Sequence, residues 1–336
     1  MLDVRKLRLL RELARRDTIA AVAEALCYTP SAVSQQLAAL ERDAGVPLLQ
    51  RTGRRVRLTP AGAALAGQTE EILALLERAA AGLAATRTGL AGPLRIGAFP
   101  TAMRTILPAA LVALGRDHPG LELMVTELDP AAVPDALRSG ALDVALVHEY
   151  EFVPAPRDPA LDTEPLLEEA IYLASAGPPP TRLASAGPPP THLASAGAPP
   201  THLASAGPPP TVDEDAVGED PVGGHRDSPW IMASPGTLCH TMAVRACQAA
   251  GFTPRIRHHA DDFVTVLALV AAGQGVALVP QLGAIGPPPG VVLTELPARR
   301  RTRIAYRNGT RHHPPVSACI AAIHAAADTH RVGLRP

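Results

Sequence analysis

The stretch Thr18-Ile19-Ala20-Ala21-Val22-Ala23-Glu24-Ala25-Leu26-Cys27-Tyr28-Thr29-Pro30-Ser31-Ala32-Val33-Ser34-Gln35-Gln36-Leu37, within the block Asp17 to Pro60, decides the fold of the N-terminal part of this 336-residue chain. Thr18 can cap a helix Ile19 to Leu26 whose alanines let a second helix cross closely. Cys27-Tyr28-Thr29 is then a turn. Thr29 caps a second helix, with Pro30 at the first position where its missing N–H costs nothing, and Gly45 stops it. Ala32, Val33, Leu37 and Leu40 fall on one stripe, which turns Ser31, Ser34, Gln35, Ala38 and Arg42 outward. Short polar side chains on such a face can approach base edges in a DNA major groove.

Leu48 to Leu58 reads as two short strands around a turn at Gly53, crowded with Arg51, Arg54, Arg55 and Arg57. Phosphates would supply the anions these arginines lack. Residues 1–60 hold eleven Lys or Arg against six Asp or Glu, a net charge of +5, although the whole chain is at −1. The positive charge is thus concentrated on one domain, as a nucleic-acid footprint should be. Helix, turn, helix and basic hairpin together spell a winged helix-turn-helix.

The run Thr18 to Leu26, then Ser31-Ala32-Val33-Ser34-Gln35-Gln36-Leu37, Leu40-Glu41, Gly45-Val46-Pro47-Leu48-Leu49, Arg51 and Leu58-Thr59-Pro60-Ala61-Gly62, resembles the N-terminal signature of the LysR-type transcriptional regulators. Two positions depart from it. Pro30 stands where the family often has a Gln that helps read DNA, and Leu49 replaces the usual Phe at the wing entry. The DNA-contacting set that follows is Thr29, Ser31, Ser34, Gln35, Arg42, Arg51, Arg54 and Arg55.

After Thr59 and Pro60 a long helix is expected to about Thr88, before Gly89, Gly92 and Pro93 break it. Leu65, Thr69, Ile72, Leu76, Ala79 and Leu83 repeat at spacings of four and three, a heptad seam that a second copy of the chain would bury. The resemblance implies that this is the family's linker helix, so Leu65, Ile72, Leu76 and Leu83 are the expected dimerisation residues, and the chain is expected to be a homodimer or homotetramer. Two reading heads then meet two half-sites.

From Leu94 the pattern alternates strand and helix: strands at 94–98, 121–127 and 142–148, helices at Thr105 to His118 and Pro130 to Ser139. This implies a parallel sheet with ligands beyond the strands' carboxyl ends. Leu137 to Leu146 and Val270 to Pro280 are similar to the family's effector-domain motifs. The resemblance implies an α/β effector region of two Rossmann-like lobes, arranged as in periplasmic binding proteins, behind the all-α winged helix-turn-helix domain. The expected divisions are 1–58 for the DNA-binding domain, 59–89 for the linker helix and 92–336 for the effector domain. Within the last, lobe I takes about 92–168 and 308–336, and lobe II about 169–307.

Residues 173–211 repeat Leu-Ala-Ser-Ala-Gly-Pro-Pro-Pro-Thr with a period of ten, in four near-identical copies. Proline runs forbid helix and sheet interior, so the block reads as an extended surface insert, with the first copy continuing a strand from Ala170.

The expected effector contacts stand at strand ends and helix starts: Pro100, Thr101, Glu127, Ser234, Thr237, Asp261 and Phe263, with Asp129 and Asp262 beside them. Cys239 and Cys247 offer an alternative as a redox pair, but eight residues apart on a helix they are too distant to bridge. The segment His258-His259-Ala260-Asp261-Asp262 reads as a solvated loop rather than a metal site. No cofactor, nucleophile with base, phosphate loop or metal set is legible, so a regulator rather than an enzyme is expected, with double-stranded DNA, a small-molecule effector, itself and RNA polymerase as partners. The charged first sixteen residues and the absence of any run near ~20 apolar residues point to a cytoplasmic chain without a membrane span.

Overall fold

The computed structural model describes residues 1–52, 55–86, 89–151, 153, 158–177 and 220–333. Helix α1 (Val4–Arg16) starts at Asp3, whose carboxylate accepts from Arg5 N at 2.7 Å, and buries Leu7, Leu9, Leu10 and Leu13. Helix α2 (Ile19–Ala25) is capped by Thr18, and α3 (Pro30–Ala44) by Thr29, which accepts from Ala32 N at 3.2 Å; Gly45 ends α3 at φ 70°. Val33, Leu37 and Leu40 of α3 close on the α1 leucines, with Val22, Ala23 and Leu48, as one small core. Strands β1 (Leu49–Thr52) and β2 (Arg55–Leu58) pair antiparallel in the register Leu49 to Leu58. One carboxylate oxygen of Glu41 accepts from both Leu48 N and Leu49 N at 2.9 Å, fixing the wing to the end of α3.

Helix α4 (Pro60–Ala85) begins at Thr59, and a Cβ on Gly62 would stand 2.1 Å from the Leu48 carbonyl oxygen, so only glycine lets the helix start so close to the wing. The heptad seam on α4 is divided. Leu65 and Ile72 pack half-buried on the head's core and Thr69 is wholly buried, because α1 lies along this part of the helix. Leu76 and Leu83 remain 45% and 73% exposed, joined by Leu75 at 61%, which the heptad count omitted. The opposite face of α4 buries Leu73, Ala74 and Ala81.

A six-stranded sheet follows, in the order β4-β3-β5-β10-β6-β9. Strands β3 (Gly92–Ala98), β4 (Leu121–Glu127) and β5 (Val144–Tyr150) are parallel, with helices between them. The helix expected at 105–118 is α6 (Leu107–Asp117), and a further helix, α5 (Pro100–Thr105), precedes it and meets it at Ile106. Helix α5 was missed because Phe99 begins it with no side-chain cap. A single 3-10 turn (Pro130–Ala132) leads into α7 (Val133–Ser139).

The lobes share their sheet. Strand β6 (Leu161–Ala176) pairs antiparallel with β10 (Val291–Arg307) over almost their whole lengths, with register shifts at Leu296/Arg299 and Thr302/Arg303. In lobe II, β9 (Ala277–Pro280) pairs with β6, while β7 (Pro229–Met232) and β8 (Arg255–His259) form a parallel pair bridged through Trp230 to Val276. Helices α8 (Leu238–Ala249) and α9 (Phe263–Ala271) cover them, and α10 (Pro314–Gly333) returns to pack its Cys319, Ile320 and Ile323 into the lobe I core. Of the repeat block, Leu173 to Ala176 end β6; residues 178–211 lie outside the described residues.

Gly309, at φ +89°, brings its backbone against α4: a Cβ there would lie 2.3 Å from the Ala74 carbonyl oxygen. Gly309→Ala should therefore destabilise by about 1–3 kcal/mol through strain and displacement. Gly67→Ala in the exposed part of α4, where an added Cβ meets nothing within 4 Å, should instead stabilise by about 0.5–1 kcal/mol. Urea unfolding of the two variants checks the pair; equal effects would show that the contact with Ala74 is not restrictive.

Candidate functional site

On the head, Ser31, Ser34, Gln35, Gln36, Ala38 and Arg42 are all exposed on α3, opposite its buried stripe. Thr29 is exposed as well, but its hydroxyl oxygen is taken up by the cap; Ser34 donates to the Pro30 carbonyl at 3.0 Å. That leaves Gln35, Gln36 and Arg42 as the longer polar side chains of this face. Arg54 lies outside the described residues, and of Arg51 and Arg55 only the strand backbone is described.

A cavity of about 230 Å³ opens between the lobes, beyond the carboxyl ends of β3, β4 and β5. It gathers Pro100, Thr101, Glu127, Thr237, Asp261 and Phe263 of the sequence-derived set, with Asp129. Ser234 is not on its wall: its N–H and hydroxyl bond the two oxygens of Asp261, each at 2.7 Å. Asp262 caps α9 and pairs with Arg104 across the cleft. Thr237 caps α8, accepting from His240 N at 3.1 Å.

Three further lining residues, Phe99, His148 and Arg300, escaped sequence reasoning, and Cys239, singled out in the sequence as half of a redox pair, also stands on this wall. Arg300 has no exposed surface; its Nε donates to Glu169 Oε1 at 2.7 Å, Nη2 to Thr101 Oγ1 at 3.2 Å, and the guanidinium lies 5.0 Å over the Phe99 ring. Burial opposes its charge most strongly, but Glu169, joined by Tyr150 and Cys239, more than offsets it, and the pKa is raised. The Cys239 Sγ stands 3.2 Å from the Tyr150 hydroxyl and 3.8 Å from His148 Nε2. Burial, and secondarily Arg300, holds the His148 imidazole well below its usual pKa, so it is neutral. Burial raises the Cys239 thiol, and raises Cys247, fully buried in the lobe II core, to about 12. Both cysteines are free, on one helix and roughly 12 Å apart along its axis, which no disulfide spans. Phe99, His148 and Arg300 gave little signal because each sits on or directly after a strand and acquires its role only from residues distant in sequence.

The cavity can enclose a small molecule with an apolar body, met at its inner end by the Thr101 and Thr237 hydroxyl groups and the charged Arg300, and at its mouth by Glu127 and Asp261. Among the described residues no group of three or more His, Cys, Asp or Glu is placed to hold a metal ion, and no helix is long and apolar enough to cross a membrane.

Residues 4–63 match the bacterial regulatory helix-turn-helix protein, lysR family, and residues 87–196 with 218–328 match the LysR substrate binding domain. The chain belongs to the LysR family. It is a DNA-binding transcriptional regulator carrying an effector-binding domain. Among its relatives, the probable hydrogen peroxide-inducible genes activator of Mycobacterium avium is 29% identical over 269 residues, 80% of this chain and 74% of that protein. The namesake in Mycobacterium xenopi is 36% identical over 168 residues, covering 50% of this chain and 86% of that protein, and the regulator TfdS of Cupriavidus pinatubonensis is 28% identical over 83% and 82%. In fold it resembles a full-length OxyR variant from Pseudomonas aeruginosa, with a TM-score of 0.54 at 21% identity over 97% and 95% of the two chains. A hydrogen-peroxide-bound OxyR variant from Corynebacterium glutamicum gives 0.51 at 23% over 100% and 97%.

Two outcomes test this LysR-type cavity. Glu169→Gln or Arg300→Met alone should cost about 3–5 kcal/mol in urea unfolding by leaving a buried charge unpaired, while Arg300→Met with Glu169→Leu should recover much of the loss. If the double variant is as unstable as the sum of the singles, the pair is not the source of the cost. The second concerns pH. The unfolded chain protonates His148 below about 6.5 and the folded chain does so only well below that, so stability should fall as pH drops through this range. His148→Gln should flatten the slope between about pH 7 and pH 5.5 by up to 1.4 kcal/mol per pH unit; an unchanged slope would show that another group carries it.

Proposed function

We propose that this regulator reads its operator with the exposed face of α3 and the arginines of the wing, and that a small molecule held between the lobes modulates it. The observation that carries the reading is the interlobe cavity, walled from both lobes, on a chain whose basic head precedes it. Ser31, Ser34, Gln35 and Arg42 are the proposed groove-facing residues and Arg51, Arg54 and Arg55 the phosphate contacts; Thr29 acts through the helix cap. Effector contacts are Pro100, Thr101, Glu127, Thr237, Asp261, Phe263 and Arg300, with Ser234 holding Asp261 in place. The units 1–58, 59–89 and 92–336 serve as reader, linker and sensor. The chain acts without enzymatic turnover, in the cytoplasm where its DNA lies, as a homodimer or homotetramer. The exposed Leu75, Leu76 and Leu83 of α4 supply the apolar surface for self-association, and RNA polymerase is the downstream partner.

The peroxide-related names of the mycobacterial relatives favour a second reading, in which Cys239 senses an oxidant. Its place on the cavity wall supports this. Its raised pKa and the buried, distant Cys247 oppose it, so the reversible-ligand reading is the stronger one.

Gel-shift titrations across a salt series on the DNA upstream of its own gene test the head. Arg54→Ala with Arg55→Ala should weaken binding to all sequences and lower the salt slope by roughly 2, whereas Gln35→Ala should change mainly which site is preferred. An intact slope in the arginine variant would remove the wing from the reading interface.

A further inference from the structure

We propose that the junction between the DNA-binding head and lobe I contains a second small-molecule site, one for a compact oxyanion of the phosphate class. A cavity of about 190 Å³ there is lined by four arginines, Arg8 and Arg11 of α1, Arg138 of α7 and Arg307 at the end of β10, with only Glu70 and Glu77 of α4 as lining carboxylates. The arginines arrive from three separate elements of the two domains. That is the arrangement by which guanidinium groups surround a tetrahedral anion, each offering paired N–H donors.

The existing ion pairs leave donors over. Arg8 has no ion-pair partner among the described residues. Arg11 meets Glu12 at 2.7 Å but Glu70 only at 3.6 Å; Arg307 gives Nη1 to the Leu137 and Leu142 carbonyls at 3.1 and 2.8 Å, while its Nε and Nη2 stand 3.5 Å from Glu77 and Asp143. Arg138 directs its terminal nitrogens to Asp135 and Asp158. Yet the Nε–H groups of Arg11 and Arg138, whose side chains are only 10% and 7% exposed, find no hydrogen-bond partner among the described residues. Two orphaned cationic donors beside one small cavity are an unusual pairing, since buried donors are ordinarily satisfied. Burial also raises the Glu70 pKa against the pull of Arg11, so the carboxylate facing these arginines is the weaker partner in its pair.

DNA is not the occupant, because the cavity is enclosed by α1, α4, α7 and the end of β10 rather than set on the face of α3. An anion here would bridge α1 to α7 and β10. It would reinforce the contacts Arg15 to Asp158 at 2.8 Å and Arg16 to Asp135 at 3.1 Å that already join head and lobe I. Occupancy therefore sets how firmly the reading head is held against the sensor.

The test is titration of the full chain with inorganic phosphate, ionic strength held constant with chloride, by calorimetry and thermal melting. Saturable binding of one phosphate per chain with a raised melting temperature is expected. Arg8→Gln, which loses no ion pair, should weaken binding about tenfold without changing the melt in chloride alone, and Arg11→Gln should weaken it further. Arg54→Ala with Arg55→Ala should leave it unchanged. Phosphate indistinguishable from chloride, binding that survives both Arg8→Gln and Arg11→Gln, or binding lost with the wing arginines would each overturn the proposal. A sulfate titration separates a general oxyanion site, where sulfate competes, from one requiring phosphate's protonation, where it does not; either result keeps the class.

Discussion

One buried ion pair organises the sensing half of the molecule. Glu169 on β6 uses one carboxylate oxygen for Arg300 on β10 and the other for the Leu282 N–H at 2.7 Å, while Arg300 reaches on to Thr101 at the start of α5. A charge in an apolar interior is costly unless its partners stand in good geometry, so these contacts act as a constraint on everything bonded to them. The strands carrying the pair are the two that run through both lobes. Their register, the turn after β9 and the first turn of α5 are therefore fixed together, and the floor of the cavity is fixed with them.

From Thr18 onward the head was legible almost to the residue because its signals are local, whereas α1 was not anticipated. Thr18, Thr29 and Thr59 each cap the helix that follows, Pro30 and Pro60 occupy first turns, and Gly45 ends α3 in the left-handed conformation that its type suits. The cavity was half legible. Residues at strand ends and helix starts, such as Thr101, Glu127, Thr237 and Asp261, follow from topology once the parallel strands are recognised. Arg300 and Glu169 do not: 131 residues separate them, and each alone reads as an ordinary strand residue. Ser234 was misplaced for the converse reason, since a correct position in the chain does not say that its hydroxyl will be spent on Asp261.

The linker helix shows how a valid pattern can be shared between two uses. Spacings of three and four mark an apolar stripe but not its partner. Along α4 the stripe meets α1 first and solvent later, so Leu65 and Ile72 belong to the head while Leu76 and Leu83 stay open. Meanwhile the helix's other side is seated on lobe I through Ala74 and Gly309. The helix is thus a structural member of the head and of the sensor at once, rather than a free tether between them.

Strand β6 ends at Ala176, where the Gly177 N–H bonds the Gly290 carbonyl at 2.7 Å, and C-terminal to the repeats the Asp220 carboxylate accepts from Val222 N at 3.1 Å. The first copy pairs within the sheet through Leu173–Ala176, and the three further copies follow that pairing in sequence. Among the described residues, the register of β6 and the walls of the cavity use no residue of the three later copies, and chain closure responds only weakly to a change of ten residues. A gain or loss of whole decapeptide units is therefore expected to leave the folded sensor the same, so that repeat number can vary without a matching change elsewhere in the chain.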